Sequence, residues 1–151
     1  MIARAMQQTA IRHRSADVAV GYAADRHGNG IAYLAIATGS GRTIAKVPFS
    51  AVPLAALGGR EFGYAAAAAA AGYVRAHGVT RVRMRLADEA VVDDLNARGK
   101  VPPPLGMAYV KTRCVLHGFA AARVERGEPI ETHDLEQRAR AEIALRAPAA
   151  A

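Results

Sequence analysis

Residues 60–100, REFGYAAAAAAAGYVRAHGVTRVRMRLADEAVVDDLNARGK, carry a helix, a strand and a second helix with readable boundaries, and the fold follows from them. Residues 62–77 contain no proline and seven consecutive alanines of highest helix propensity, and Gly78 stands where a glycine cap ends such a run. A helix with so little side-chain bulk suits a place where its backbone must come close to another element, such as the face of a sheet. Tyr64, Tyr73 and Val74 supply its larger contacts. Residues 79–86 alternate Val82, Met84 and Leu86 with Arg81, Arg83 and Arg85, the period of two of a strand with one wet face. Asp88 then offers an N-cap, and Val91, Val92 and Leu95 recur at helical spacing until residues 96–99 stop them.

Working outward, residues 17–24, 31–38 and 42–49 read as three strands, joined by the polar turn Asp25-Arg26-His27-Gly28-Asn29-Gly30 and by Gly39-Ser40-Gly41. Such short turns permit only an antiparallel meander. Residues 50–59 form a loop broken by Pro53 and two glycines. The three prolines at 102–104 make an extended connector. Residues 105–119 show a helical stripe of Met107, Val110, Cys114 and Leu116, which assigns Cys114 to the core, with Gly118 as a cap. A short strand at 121–125 and a helix at 133–145 entered through Asp134 close the chain. The order is βββαβααβα: an α/β fold with a mixed five-stranded sheet and helices on both faces, antiparallel first and parallel later. One domain spans 17–147, between a flexible basic arm at 1–16 and a tail at 148–151.

At 151 residues the chain can bury a core without disulfides or metal, and the single cysteine provides neither a disulfide framework nor a cysteine zinc site. The five histidines show no ligand spacing. A net charge of +7 and a pI near 10.2 favour a polyanionic partner such as nucleic acid. With aromatics at 5% and no tryptophan, the core is built from small residues. No apolar run reaches the roughly 20 residues needed to span a bilayer, and the first residues lack the apolar core of a signal peptide. The reading is therefore a cytoplasmic protein with no membrane partner.

Several segments in this order resemble ribonuclease H of the short bacterial and archaeal type, the reverse-transcriptase-like domain. Residues 87–96, ADEAVVDDLN, are similar to that family's D-S-x-x-V-V-x-x-L-N segment after the fourth strand. Tyr64 matches the tyrosine of E-Y-x-A, Gly28-Asn29-Gly30 resembles the G-N-P-G turn, and residues 139–142 resemble A-x-A-D of the last helix. The similarity covers roughly residues 17–146. It implies a fold that cuts the RNA strand of RNA–DNA hybrids with two Mg²⁺ ions held by four carboxylates. Carried across one by one, those carboxylates fall on Ala23, Gly63, Ala87 and Glu142. Alanine and glycine offer no oxygen to a hard cation, so the resemblance implies the scaffold without the reaction and without a cofactor.

Asp25, Glu61 and Asp88 each lie within two positions of a lost ligand. With Glu142 they define the rival reading, an active Mg²⁺-dependent nuclease with a displaced site. Against it, Asp25 would sit roughly 6 to 7 Å further along its strand and Glu61 about 200° around its helix. Asp88 occupies a capping position. For nucleic-acid binding the resemblance points to Arg26, His27 and Asn29, in the turn where the family meets the 2′-hydroxyls, and the charge pattern adds Arg98 and Lys100, with Lys111 and Arg113 beyond. The expected function is an inactive ribonuclease-H-like domain binding RNA–DNA hybrid, RNA or a protein partner. A homodimeric assembly module is the third reading.

Overall fold

The computed structural model describes residues 14–146, so the expectations for residues 1–13 and for the tail lie outside the described residues. Three strands open the chain: β1 (Ser15–Ala24), β2 (Asn29–Thr38) and β3 (Gly41–Ser50). They are followed by α1 (Arg60–Ala76), β4 (Arg81–Leu86) and α2 (Glu89–Leu95). A 3₁₀ turn at Pro103–Leu105 leads into α3 (Gly106–His117), then β5 (Ala121–Arg126) and α4 (Pro129–Arg146). The element order is the expected one. β1 starts two residues before the expected boundary, so Ser15 and Ala16 belong to the sheet, not to an arm. α4 starts four residues early at Pro129, whose fixed φ and missing N–H suit a first helical turn.

The five strands form one sheet in the order β3-β2-β1-β4-β5. β1 pairs antiparallel with β2, and β2 with β3; β1 pairs parallel with β4, and β4 with β5. Pro48 sits in edge strand β3, where a missing N–H is tolerated. One face of the sheet presents Val18, Val20, Leu34, Met84 and Leu86 to α1, α2 and α3, and this is the main core. Four alanines of α1, Ala66, Ala67, Ala70 and Ala71, are fully buried in it, as a close-packed small-residue helix requires. α1 ends in a Schellman motif: Gly78 adopts φ 87°, its N–H donates to the Arg75 carbonyl, and the Val79 N–H donates to that of Val74.

α4 lies on the opposite face, over β1 and β2, with Leu135 packed on Ala19 and Ala35. It comes so near that a Cβ added at Gly21 would stand 2.4 Å from the Glu136 nitrogen and 2.5 Å from the Leu135 Cβ. The β4–β5 part of that face bears Arg81, Arg83 and Arg123, all exposed.

α3 departs from the sequence reading. Its buried face is Thr112 and Leu116, continued by Leu105 and half-buried Tyr109, whereas Met107 is 83% exposed, Val110 is 53% exposed, and Cys114 is exposed. Both stripes keep helical spacing; the winner holds the larger side chains and a threonine whose hydroxyl donates to the Ala108 carbonyl at 2.8 Å. Cys114 is therefore not a core residue.

Among the described residues no helix is long and apolar enough to cross a membrane.

Candidate functional site

β1 and β4 run side by side in parallel with Val20 opposite Leu86, so Gly21 and Tyr22 stand beside Ala87 and Asp88 where the strands end. Ligands of open α/β sheets characteristically bind beyond such carboxyl ends. α4 closes this space with Thr132 and Glu136, leaving a cleft of about 230 Å³.

Tyr22 dominates the cleft. A Cβ on Gly63 would lie 3.0 Å from the Tyr22 hydroxyl, 2.7 Å from Val91 Cγ2 and 3.5 Å from Asp88 Oδ2, so the room for a longer side chain at position 63 is already taken. Burial pushes the Tyr22 phenol well above its ordinary range, and the negative charges of Asp88, Glu136 and Glu61 push it further. The phenol therefore stays protonated and able to donate even in alkaline solution where an ordinary tyrosine ionises. Phe49 meets its ring edge-on, 6.2 Å between centroids.

The carboxylates of the displaced-site reading do not converge. Asp25 Oδ1 closes the β1–β2 turn by accepting from the His27 N–H at 2.8 Å and the Asn29 N–H at 3.0 Å. The Asn29 backbone bond in particular lowers its carboxyl below the ordinary range. Asp88 caps α2, its Oδ1 accepting from the Ala90 and Val91 amides at 3.0 and 3.3 Å. Glu61 accepts from the Leu54 N–H at 3.3 Å. Glu142 lies almost two turns along α4 from the cleft, where Lys46 and Arg146 donate to it at 2.7 and 2.8 Å and the Tyr33 hydroxyl at 2.5 Å. The α4 carboxylate that does face Ala87 is Glu136, which also accepts from Arg140 at 2.6 Å.

Among the described residues no three His, Cys, Asp or Glu side chains are grouped to hold a metal ion. Ala87 brings no oxygen, position 63 has no room for one, and Asp88 already spends an oxygen on its cap. This donor set does not fit a pair of Mg²⁺ ions, which need near-octahedral oxygen ligation.

Arg26 and His27 in the β1–β2 turn and Asn29 at the first position of β2 come together with exposed side chains, Arg26 Nε donating to His27 Nε2 at 3.3 Å. Arg98 and Lys100 are exposed in the loop after α2, which Ala97 turns at φ 57°. Among the described residues no hydrogen bond or ion pair joins this loop to the turn, so they are two separate basic points. Lys111 is exposed, but Arg113 is committed to the Leu95 carbonyl at 2.7 Å.

Sequence reasoning missed Tyr22 and Glu136. An aromatic near the end of the first strand was a usable signal for Tyr22, whereas Glu136 lies inside the expected helix and is brought beside Ala87 only by the packing of α4 over β1.

A second buried cluster ties α1 to α2. Asp94 accepts from the Tyr64 hydroxyl and from Arg60 Nη2 (2.5 Å) while its own side chain is completely buried. Burial and the Asp94 bond hold the Tyr64 phenol far above its usual range.

A mixed sheet in this order, with its cleft beyond the adjoining ends of β1 and β4, defines the ribonuclease-H-like class of α/β folds. Solved structures agree. The chain is similar to RNase H1 from the halophilic archaeon Halobacterium salinarum (15% identity, TM-score 0.69, covering 86% of this chain and 98% of that one). It is likewise similar to the N-terminal RNase H domain of a Mycobacterium tuberculosis protein (15%, TM-score 0.67, 87% and 95%). A third match is LC11-RNase H1, solved in complex with an RNA/DNA hybrid (12%, TM-score 0.64, 86% and 99%). No family model and no curated protein matches the chain. The protein has the RNase H fold.

Proposed function

We propose that this protein is a ribonuclease-H-like domain that binds nucleic acid, RNA–DNA hybrid above other forms, and does not cleave it. The observation that carries the reading is the occupied space at Gly63: Tyr22 and Val91 fill the position where the resemblance calls for a carboxylate, beside an Ala87 that offers no oxygen. The fold, the charge of +7 and the hybrid bound by a protein of the same fold support the ligand class. The cleft itself retains Asp88 and Glu136 and repels phosphate, so contact falls to its flanks: Arg26, His27 and Asn29 on the turn, and Arg98 and Lys100 after α2. Exposed polar turn residues of this kind can reach the 2′-hydroxyls that distinguish RNA from DNA.

The test pairs binding with cleavage. Hybrid, duplex and single strands are titrated at two salt concentrations, and the hybrid is then incubated with Mg²⁺ or Mn²⁺. The reading expects salt-weakened binding that is tightest for hybrid, with the hybrid left intact. Metal-dependent cleavage that Asp88→Ala abolishes would establish the displaced-site nuclease.

The face of α3 bearing Met107, Val110 and Cys114 favours a second reading, contact with a protein partner or a second copy of the chain. Light scattering across a concentration series distinguishes the homodimer from the monomer.

A further inference from the structure

Between the end of β3, α1 and α3 lies an open groove of about 580 Å³, a different space from the cleft beside Ala87. Ala65, Ala68 and Ala69 hold it open because their side chains are too short to fill it, and Leu105, Met107 and Val115 form its other apolar wall. Its size lies within the roughly 300–1,000 Å³ of small-molecule sites.

Glu61 lines this groove and is only 5% exposed. Its Oε1 accepts from the Leu54 N–H, but its Oε2 is buried with no hydrogen-bond partner. Buried polar atoms are nearly always satisfied, and a carboxylate oxygen among apolar groups is costly to leave without a donor. Lys111 lines the same groove from α3, yet it is exposed and forms no ion pair with Glu61. The groove thus has an acidic, donor-seeking position set against apolar walls.

We propose that the groove binds a small organic cation with an apolar body, whose ammonium or amidinium donates to Glu61 Oε2 while the body lies along the alanines of α1. A charged N–H supplies both the missing donor and the countercharge, which a neutral amide supplies only in part. An anionic ligand would bring no donor to Glu61 Oε2 and would meet its carboxylate, so the groove is a different kind of site from the basic flanks. The inference goes beyond the nucleic-acid reading and stands independently of it.

Calorimetric titration of the intact chain with benzamidine and n-hexylamine, beside the neutral benzamide and n-hexanol, tests it. The cations should bind about tenfold or more tighter than their neutral counterparts, as a hydrogen bond to a charged group predicts. Glu61→Gln, which can keep an oxygen on the Leu54 amide, should remove that preference. Ala68→Leu, at a half-buried groove position, should block all four compounds, with circular dichroism confirming that both variants fold. Equal binding of charged and neutral compounds would overturn the proposal, as would cation binding unchanged by both substitutions or no binding at millimolar concentration.

Discussion

Tyr22 and Glu142 show how a single group's surroundings set its charge. Around Tyr22, burial and three nearby carboxylates favour the neutral phenol, so the folded protein keeps a proton that the unfolded chain releases near the ordinary value of 10.0. The stability linked to this group is therefore complete below pH 10 and is lost as pH rises above it. Ultraviolet titration should find Tyr22 and Tyr64 of the folded protein still protonated at a pH where the phenols of the unfolded chain have ionised, and Tyr22→Phe should delete one late-titrating group. Glu142 behaves oppositely: bonds from Lys46 first and Tyr33 second lower its carboxyl from 4.5 to about 2. Its contribution is present above pH 4.5 and disappears as pH falls toward 2. Glu142→Gln should flatten the acid limb of a stability–pH curve between those values, and an unchanged limb would contradict the Lys46 and Tyr33 contacts.

Among the elements, α1 has the clearest sequence signal and the tightest packing demand. Ala68 faces the groove, while Ala67 is completely buried against the core. Ala67→Leu should cost about 1–3 kcal/mol in denaturant unfolding, because added methylenes have nowhere to go. The Asp94 bonds are a second demand. Asp94→Ala leaves Arg60, whose side chain is 22% exposed, without its partner and should destabilise by about 3 kcal/mol. The alanine run, the glycine cap and the Asp88 cap are local signals, and each was legible in the sequence. The buried face of α3 was not, because two apolar stripes share its spacing and only the position of the sheet selects between them. Nor was the start of α4, since Asp134 offers an N-cap signal one turn inside a helix that Pro129 begins.

For the whole molecule, sequence order was sufficient for the sheet: short turns dictated the antiparallel meander, and helical connections dictated the parallel pair β4–β5. The cleft was only half legible. Ala87 and Gly63 stand on elements whose register the motifs fix, whereas the roles of Tyr22 and Glu136 emerge only when β1 and α4 come together. Charge also acts at this scale. If phosphate is met on the flanks and not in the cleft, the double variant Arg98→Ala, Lys100→Ala should weaken binding about equally across sequences and reduce the salt dependence by about two counterions.

The central claim, a ribonuclease H scaffold that binds without cutting, is tested most directly by one gel measurement: an end-labelled RNA–DNA hybrid incubated with excess protein at low salt and 10 mM-scale Mg²⁺ or Mn²⁺, read for both mobility shift and RNA length. The account predicts a shifted, full-length hybrid in either metal. RNA fragments that require the metal and vanish with Asp88→Ala would contradict it.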